Sequence, residues 1–163
     1  MKKSIALILT IILGMTLLAG CGGDAKTDEN NNSQGDNKGT NPPVEIKGIT
    51  VEMNDFTILC PDGWEDQTDN PSYSKFQKNG ANVGCDIVVQ FSGSGLDGWE
   101  DYDYDKVSYN IGGYFWEGYF YFGDMYAIAA KITGSDKMCV VKVGGYKMDD
   151  PEIIAIIESI KAK

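Results

Sequence analysis

The sequence predicts an α+β fold, a largely antiparallel β-sheet flanked by helices with a C-terminal helix packed on the sheet. Short segments in which apolar and polar residues alternate recur along residues 44–163, as in half-buried strands. Glycine, proline and asparagine separate these segments at turn positions. One apolar stripe at helical spacing closes the sequence. Strands followed by a helix favour this class, and residues 44–163 have the length of one domain.

The first half of this domain contains three predicted strands. Residues 49–60 form the first, and the turn residues at 61–63 end it. Residues 72–77 form the second, which leads into the hairpin signal Asn79-Gly80. Residues 83–91 form the third, in which apolar residues alternate most regularly with polar ones.

The second half is richer in aromatic residues. Residues 96–109 fit either a short helix or an acidic, aromatic loop. A glycine pair at 112–113 opens a long β stretch that runs to Phe122. Residues 126–132 and 138–143 are predicted to pair as a hairpin across a polar turn.

The end of the chain is predicted to be helical. Asp150 suits the N-cap, Pro151 the first turn, and Glu152 complements the positive end of the helix dipole. The apolar stripe consists of Ile153, Ile156, Ile157 and Ile160. We expect this stripe to pack on the sheet.

The N-terminus has the features of an export signal. Lys2 and Lys3 precede an uncharged, mainly apolar run at residues 4–18, which is shorter than the roughly 20 residues of a spanning helix. The run ends in Leu18-Ala19-Gly20-Cys21, which resembles the lipobox of bacterial lipoproteins. The resemblance implies that residues 1–20 are a signal peptide and that Cys21 carries a diacylglyceryl anchor. An ordinary secretory signal with an incidental Cys21 and a retained transmembrane anchor are the alternatives.

Residues 21–43 follow as a predicted tether. Beyond Cys21 this segment is polar apart from Ala25, so it cannot bury enough apolar surface to offset the entropy of ordering. We expect it to space the domain from the outer face of the cytoplasmic membrane, to which the lipid would hold the chain.

The composition excludes several classes of function. The chain has a net charge of −10 and contains neither histidine nor arginine, which disfavours nucleic-acid binding. Without histidine, Ser-His-Asp and Cys-His catalysis are not available. The sequence has no phosphate-binding loop motif, and we expect no cofactor and no metal. It does not predict an oligomeric state.

The domain contains three cysteines, Cys60, Cys85 and Cys139. Each shares its alternation phase with the apolar residues of a predicted strand, which predicts three buried small side chains. One disulfide with one remaining thiol, or a catalytic or metal-binding cysteine, are the alternatives.

Both ends of the domain resemble the Mog1/PsbP-like domains. An apolar strand leads into Pro61-Asp62-Gly63-Trp64, and the final helix closes with Ser159-Ile160-Lys161. The glycine-rich entry Ile111-Gly112-Gly113-Tyr114 is also similar. The resemblance spans residues 44–163 and implies an antiparallel sheet flanked by helices that serves in binding or assembly. A long N-terminal helix found in some relatives is not evident here.

The aromatic strand before Phe122 carries rings on both faces. Trp116 and Phe120 are the more apolar set, so we expect them in the core. Tyr119 and Tyr121 have the opposite parity, and we expect them to face outward with solvent-exposed hydroxyl groups. With Trp99 and Tyr102 they are the candidate ligand-binding residues; a thick aromatic core covered on both sides is the alternative.

The residues from Asp97 to Asp105 are strongly acidic. An EF-hand loop starting at Asp101 would need glycine and glutamate where Lys106 and Gly112 stand, so this is not an EF-hand. A solvated surface loop is the simpler interpretation, and a looser calcium site is the alternative.

These observations predict an extracytoplasmic lipoprotein that is a non-catalytic binding or assembly module for a protein, a peptide or a wall glycan. The alternative function is a carboxylate-based hydrolase of an extracellular glycan. Its candidate residues would be Glu100, Asp101, Asp103 and Glu117. Two carboxylates about 5–10 Å apart in a cleft would favour the hydrolase.

Overall fold

The structure is a computed structural model that describes residues 45–163. The signal peptide at 1–20, the lipid attachment at Cys21 and the tether at 21–43 lie outside the described residues and stay predictions. Within 45–163, none of the helices has the length and hydropathy needed to cross a bilayer.

The described chain contains ten strands, one 3₁₀ turn and one α-helix. The strands are β1 Gly48–Glu52, β2 Phe56–Pro61, β3 Trp64–Asp66, β4 Tyr73–Lys78, β5 Ile87–Ser92, β6 Asp105–Ile111, β7 Tyr114–Tyr121, β8 Met125–Lys131, β9 Met138–Gly144 and β10 Lys161–Ala162. The 3₁₀ turn is Trp99–Asp101, and α1 is Pro151–Glu158.

The strands form two antiparallel sheets. The small sheet has the order β1-β2-β10, and the large sheet has the order β3-β4-β5-β9-β8-β7-β6. Every pair of neighbouring strands is antiparallel, as predicted. The expectation of several flanking helices was wrong, because α1 is the one α-helix within 45–163.

The small sheet and α1 cover one face of the large sheet, here called the inner face. Phe56 of β2 stacks on Phe91 of β5 with ring centroids 5.1 Å apart. The helix buries Ile153, Ile156 and Ile157 in the same core, which confirms the predicted C-terminal helix. It ends at Glu158, so Ile160 of the predicted stripe is buried beyond the helix, just before β10. Its N-cap is also as predicted, since the Asp150 carboxylate accepts a hydrogen bond of 2.8 Å from the backbone N–H of Glu152.

The first predicted strand is in fact a hairpin. A tight turn after Met53 separates β1 from β2, with Met53 N donating to the Phe56 carbonyl at 2.8 Å. Val51 then pairs with Ile58 across the hairpin. Apolar residues continue on both sides of the turn, which is why the sequence pattern resembled one long strand.

The glycine pair that was predicted to open a long strand is a turn instead. Gly112 and Gly113 both have positive φ values, 62° and 79°, and they join β6 to β7 with Ile111 paired to Tyr114. Two such residues are typical of the turns that suit a twisted hairpin. The ambiguous region at 96–109 therefore contains the 3₁₀ turn and most of β6.

The three cysteines carry free thiols. Cys60 and Cys139 are buried in the core, as predicted. Cys85 was expected on a strand face, but β5 begins only at Ile87. Cys85 lies half-buried in the preceding connection, next to Gly84 with φ of 87°.

Candidate functional site

The opposite face of the large sheet, here called the outer face, is partly covered by the connection between β5 and β6. Residues 93–104, the capping segment, fold back over β7, β8 and β9. The Trp99 ring lies edge-on to Tyr121 at 5.2 Å and stacked near Tyr119 at 6.2 Å. The ammonium group of Lys142 in β9 lies 5.6 Å from the centre of the Trp99 ring, a cation–π contact.

Tyr104 is a second anchor of the capping segment. Its ring lies 5.4 Å from Tyr121 and 6.0 Å from Trp99. The sequence analysis did not single out Tyr104, although it lies in the same acidic, aromatic run. Tyr102 stacks on Tyr104 at 5.3 Å and is otherwise exposed, with 60% of its surface accessible.

The capping segment shields Tyr121 from solvent. Tyr121 is 8% exposed, so the expectation of an outward, wet hydroxyl was wrong for this residue. Desolvation raises the pKa of its phenol, with smaller contributions from Tyr104 and Asp86. Removal of the Tyr121 ring would therefore take away contacts between the capping segment and the sheet.

The expectation of a core position is confirmed for Trp116 but not for Phe120. Trp116 is fully buried on the inner face, where its indole N–H donates to the Ile111 carbonyl at 3.1 Å. Phe120 shares that face but is only half-buried, with its ring 4.8 Å from Tyr126. Tyr119 is half-buried on the outer face.

A groove of about 370 Å³ lies between the capping segment and the outer face. Its lining is Leu96, Asp97, Glu100, Lys106, Val107, Glu117, Gly118, Tyr119, Ala129 and Met138. Clefts of this size hold small ligands or a few units of a polymer. The lining combines an aromatic ring, apolar side chains and three carboxylates with one ammonium group.

Gly118 permits the close strand packing beneath this groove. A Cβ atom at this position would lie 1.9 Å from the Ala127 carbonyl oxygen of β8. Any larger residue would push β7 and β8 apart. Sequence reasoning missed Gly118, since nothing around it marks a close approach between strands.

The four carboxylates that were candidates for hydrolysis do not lie in one site. Glu100 and Glu117 both line the groove, whereas Asp101 and Asp103 do not. Glu100 is partly engaged, because its Oε2 accepts a hydrogen bond of 3.0 Å from Gly98 N. Across residues 45–163, no three acidic or thiol side chains are grouped so that they could hold a metal ion.

Comparison with protein-family models gives no match, and comparison with curated proteins gives none either. A crystal structure of a protein from Bacteroides thetaiotaomicron, at 1.50 Å resolution, is similar to this chain with a TM-score of 0.44 and 16% sequence identity. The similarity covers 71% of this chain and 48% of that one, so this chain spans about half of the solved protein's length.

Proposed function

We propose that the chain is a membrane-anchored extracytoplasmic lipoprotein whose domain is a non-catalytic binding or assembly module. The groove between the capping segment and the outer face supports this proposal. Its ligand would be a protein, a peptide or a wall glycan. The lipid on Cys21 would hold the module at the outer face of the cytoplasmic membrane.

The lining of the groove favours an extended ligand. Tyr119 offers a ring face, on which a sugar ring or an apolar side chain can stack. Leu96 and Met138 add apolar contact area, while Glu100 and Glu117 can accept hydrogen bonds from hydroxyl or amide groups. A segment of glycan strand or of extended peptide presents both kinds of group.

A wall glycan gives the clearest test. The full chain is mixed with purified peptidoglycan, and the protein that sediments with it is measured. Tyr119→Ser should reduce sedimentation roughly fivefold to tenfold, because stacking and burial of an aromatic ring contribute about 1 kcal/mol or more. The matched control is Phe115→Ser, which removes an exposed ring from the same strand outside the groove.

The control should sediment like the parent chain, and both variants should retain the parent's melting temperature within a few degrees. Equal sedimentation of the Tyr119 and Phe115 variants would contradict a glycan-binding groove. Soluble wall peptides, tested by calorimetry with the same variants, distinguish a peptide ligand from a glycan.

A carboxylate-based hydrolase is the second candidate function, and one observation favours it: Glu100 and Glu117 line the same groove. In that case the chain would release reducing ends from the glycan, and Glu100→Gln and Glu117→Gln would each abolish the release. If the chain binds the glycan but releases no reducing ends, the result supports the non-catalytic binding module. The relationship to Mog1/PsbP-like domains stays a prediction that fits either function.

A further inference from the structure

A second cleft lies where β7 turns into β8 and β6 begins. It has a volume of about 250 Å³. Two acidic and four aromatic residues line it: Asp103, Tyr104, Asp105, Phe120, Tyr121 and Phe122. The ring of Phe120 itself lies on the inner face, 4.8 Å from that of Tyr126. None of its lining residues lines the groove described above. Its ligand is therefore a separate question from the proposed function.

The Phe122 ring stands at a steep angle to the rings of Tyr104 and Tyr121, which are themselves tilted by 40° to each other. Tyr104 and Phe122 are 6.0 Å apart with an interplanar angle of 77°, and Tyr121 and Phe122 are 5.2 Å apart at 67°. Tyr104 and Tyr121 close the set at 5.4 Å. Rings that meet at such angles form walls rather than a stack, and ring faces carry negative electrostatic potential.

Phe122 is unusual within this set. Its φ of 54° makes it the one non-glycine residue within 45–163 with a left-handed backbone. For a bulky residue that conformation is unfavourable. Its ring is also 77% exposed, so core packing does not account for the residue. Phe122 and Gly123, with φ of 54° and 82°, lie in the turn between β7 and β8, where positive φ values are typical. The turn accounts for the backbone conformation but not for an exposed aromatic ring at the rim of a cleft.

The charge of the cleft selects the kind of ligand. Asp103 and Asp105 are its charged residues, and no lysine lines it, in contrast to the groove with Lys106. An anion would be repelled. A primary ammonium group would lose hydration that ring faces cannot replace, whereas a quaternary ammonium group presents methyl groups to rings and spreads its positive charge over them.

We propose that this cleft binds a quaternary ammonium group of the choline type. The rings of Tyr104 and Phe122 flank the methyl groups, the largely buried Tyr121 lies at the base of the cleft, and the two carboxylates neutralise the charge. Free choline and the phosphocholine group of a lipid surface share this chemistry. The volume of the cleft admits one such group.

Equilibrium dialysis of the full chain against radiolabelled choline, in a maltoside detergent, tests the proposal. Choline should bind, and its uncharged carbon isostere dimethylbutanol should compete at least roughly tenfold more weakly, since the cation–π attraction is absent. Ethanolamine, a primary ammonium, should also compete more weakly than choline.

Phe122→Gly is the informative variant. It removes one wall of the cage and relieves the left-handed strain, because glycine adopts positive φ freely. Choline affinity should fall roughly fivefold or more, while the melting temperature stays the same or rises. Phe115→Ala is the matched control, an exposed ring on β7 outside the cleft, and should leave affinity unchanged. Asp103→Asn with Asp105→Asn should weaken binding most at low salt.

Three results would overturn the proposal. These are equal competition by choline and dimethylbutanol, unchanged choline affinity in Phe122→Gly, and no choline binding at millimolar concentration by the folded chain. Flotation with phosphatidylcholine vesicles then distinguishes a lipid headgroup from free choline as the ligand. Vesicle binding that Phe122→Gly abolishes identifies a lipid headgroup, and choline binding without vesicle binding identifies a free solute.

Discussion

Cys60, Cys85 and Cys139 carry the same thiol in different surroundings. Burial raises the pKa of Cys60 to about 11, with a further contribution from the charge of Asp66. Burial raises the pKa of Cys139 still more. Cys85 is half-exposed in the connection before β5. Because the thiolate is the reactive form, these surroundings decide which sulfur reacts.

A maleimide reagent at pH 8 should therefore label Cys85 first. A pKa of about 11 leaves roughly one Cys60 thiol in a thousand ionised at pH 8. Cys139 is additionally inaccessible. Peptide mass spectrometry should show Cys60 and Cys139 labelled only in denaturant. Fast labelling of Cys139 in the folded chain would contradict its burial, and absence of labelling in denaturant would reveal a disulfide.

Alternation along the sequence was enough to place Trp116 and Cys139 in the core. It could not give the exposure of Tyr121, because the capping segment that buries Tyr121 is distant in sequence. Ser74 is another such case, a fully buried serine whose hydroxyl has no hydrogen-bond partner within 45–163. Both depend on neighbours across strands, which no local pattern records.

Among the elements, α1 was the easiest to predict, because its capping residues and its apolar stripe agree. The helix packs against β2 and β6. Its end is fixed by Ser159, whose hydroxyl accepts a hydrogen bond of 2.8 Å from Leu59 N in β2. The helix therefore joins the small sheet to the large one.

Truncation of the helix stripe should be costly. Ile157 is buried in the core that residues of both sheets and α1 form. Ile157→Ala should lower the free energy of unfolding by about 2–5 kcal/mol, as loss of a buried aliphatic side chain leaves a cavity. Urea titration followed by circular dichroism measures this change. Glu158→Ala, at an exposed neighbouring position, is the control and should change stability by about 0.5 kcal/mol or less. Equal effects of the two would show that α1 does not pack on the core.

The turns were harder to predict than the strands. Gly112-Gly113 was interpreted as the start of a strand, although two consecutive glycines suit a hairpin turn. The turn at Asn54 and Asp55 was missed, although both residue types favour turns, because apolar residues alternate on both sides of it. Of the four predicted ligand-binding residues, only Tyr119 lines the groove. Trp99 and Tyr121 pack beside it, and Tyr102 lies outside it. Gly118 was not predicted, because its role depends on strand pairing that the sequence pattern does not specify.

For the whole molecule, the lipid on Cys21 is the prediction to test first. Cells that express the chain and take up labelled fatty acid should yield a labelled, membrane-bound protein. Cys21→Ser should give no label and an uncleaved or released chain, because diacylglyceryl transfer requires the thiol. Cys85→Ser is the control and should remain labelled. A Cys21→Ser chain that still carries fatty acid would contradict the anchor.

The two ends of the described domain lie in the same small sheet. β1 and β10 flank β2, and the ammonium group of the last residue, Lys163, donates to the Met53 carbonyl at 2.8 Å. That sheet covers the inner face, whereas the groove opens on the outer face. Both ends of residues 45–163 thus lie on the side of the domain opposite the groove. A reporter or affinity label joined after Lys163 would leave the groove accessible, and an immobilised domain would present its groove to a large particle such as a wall fragment.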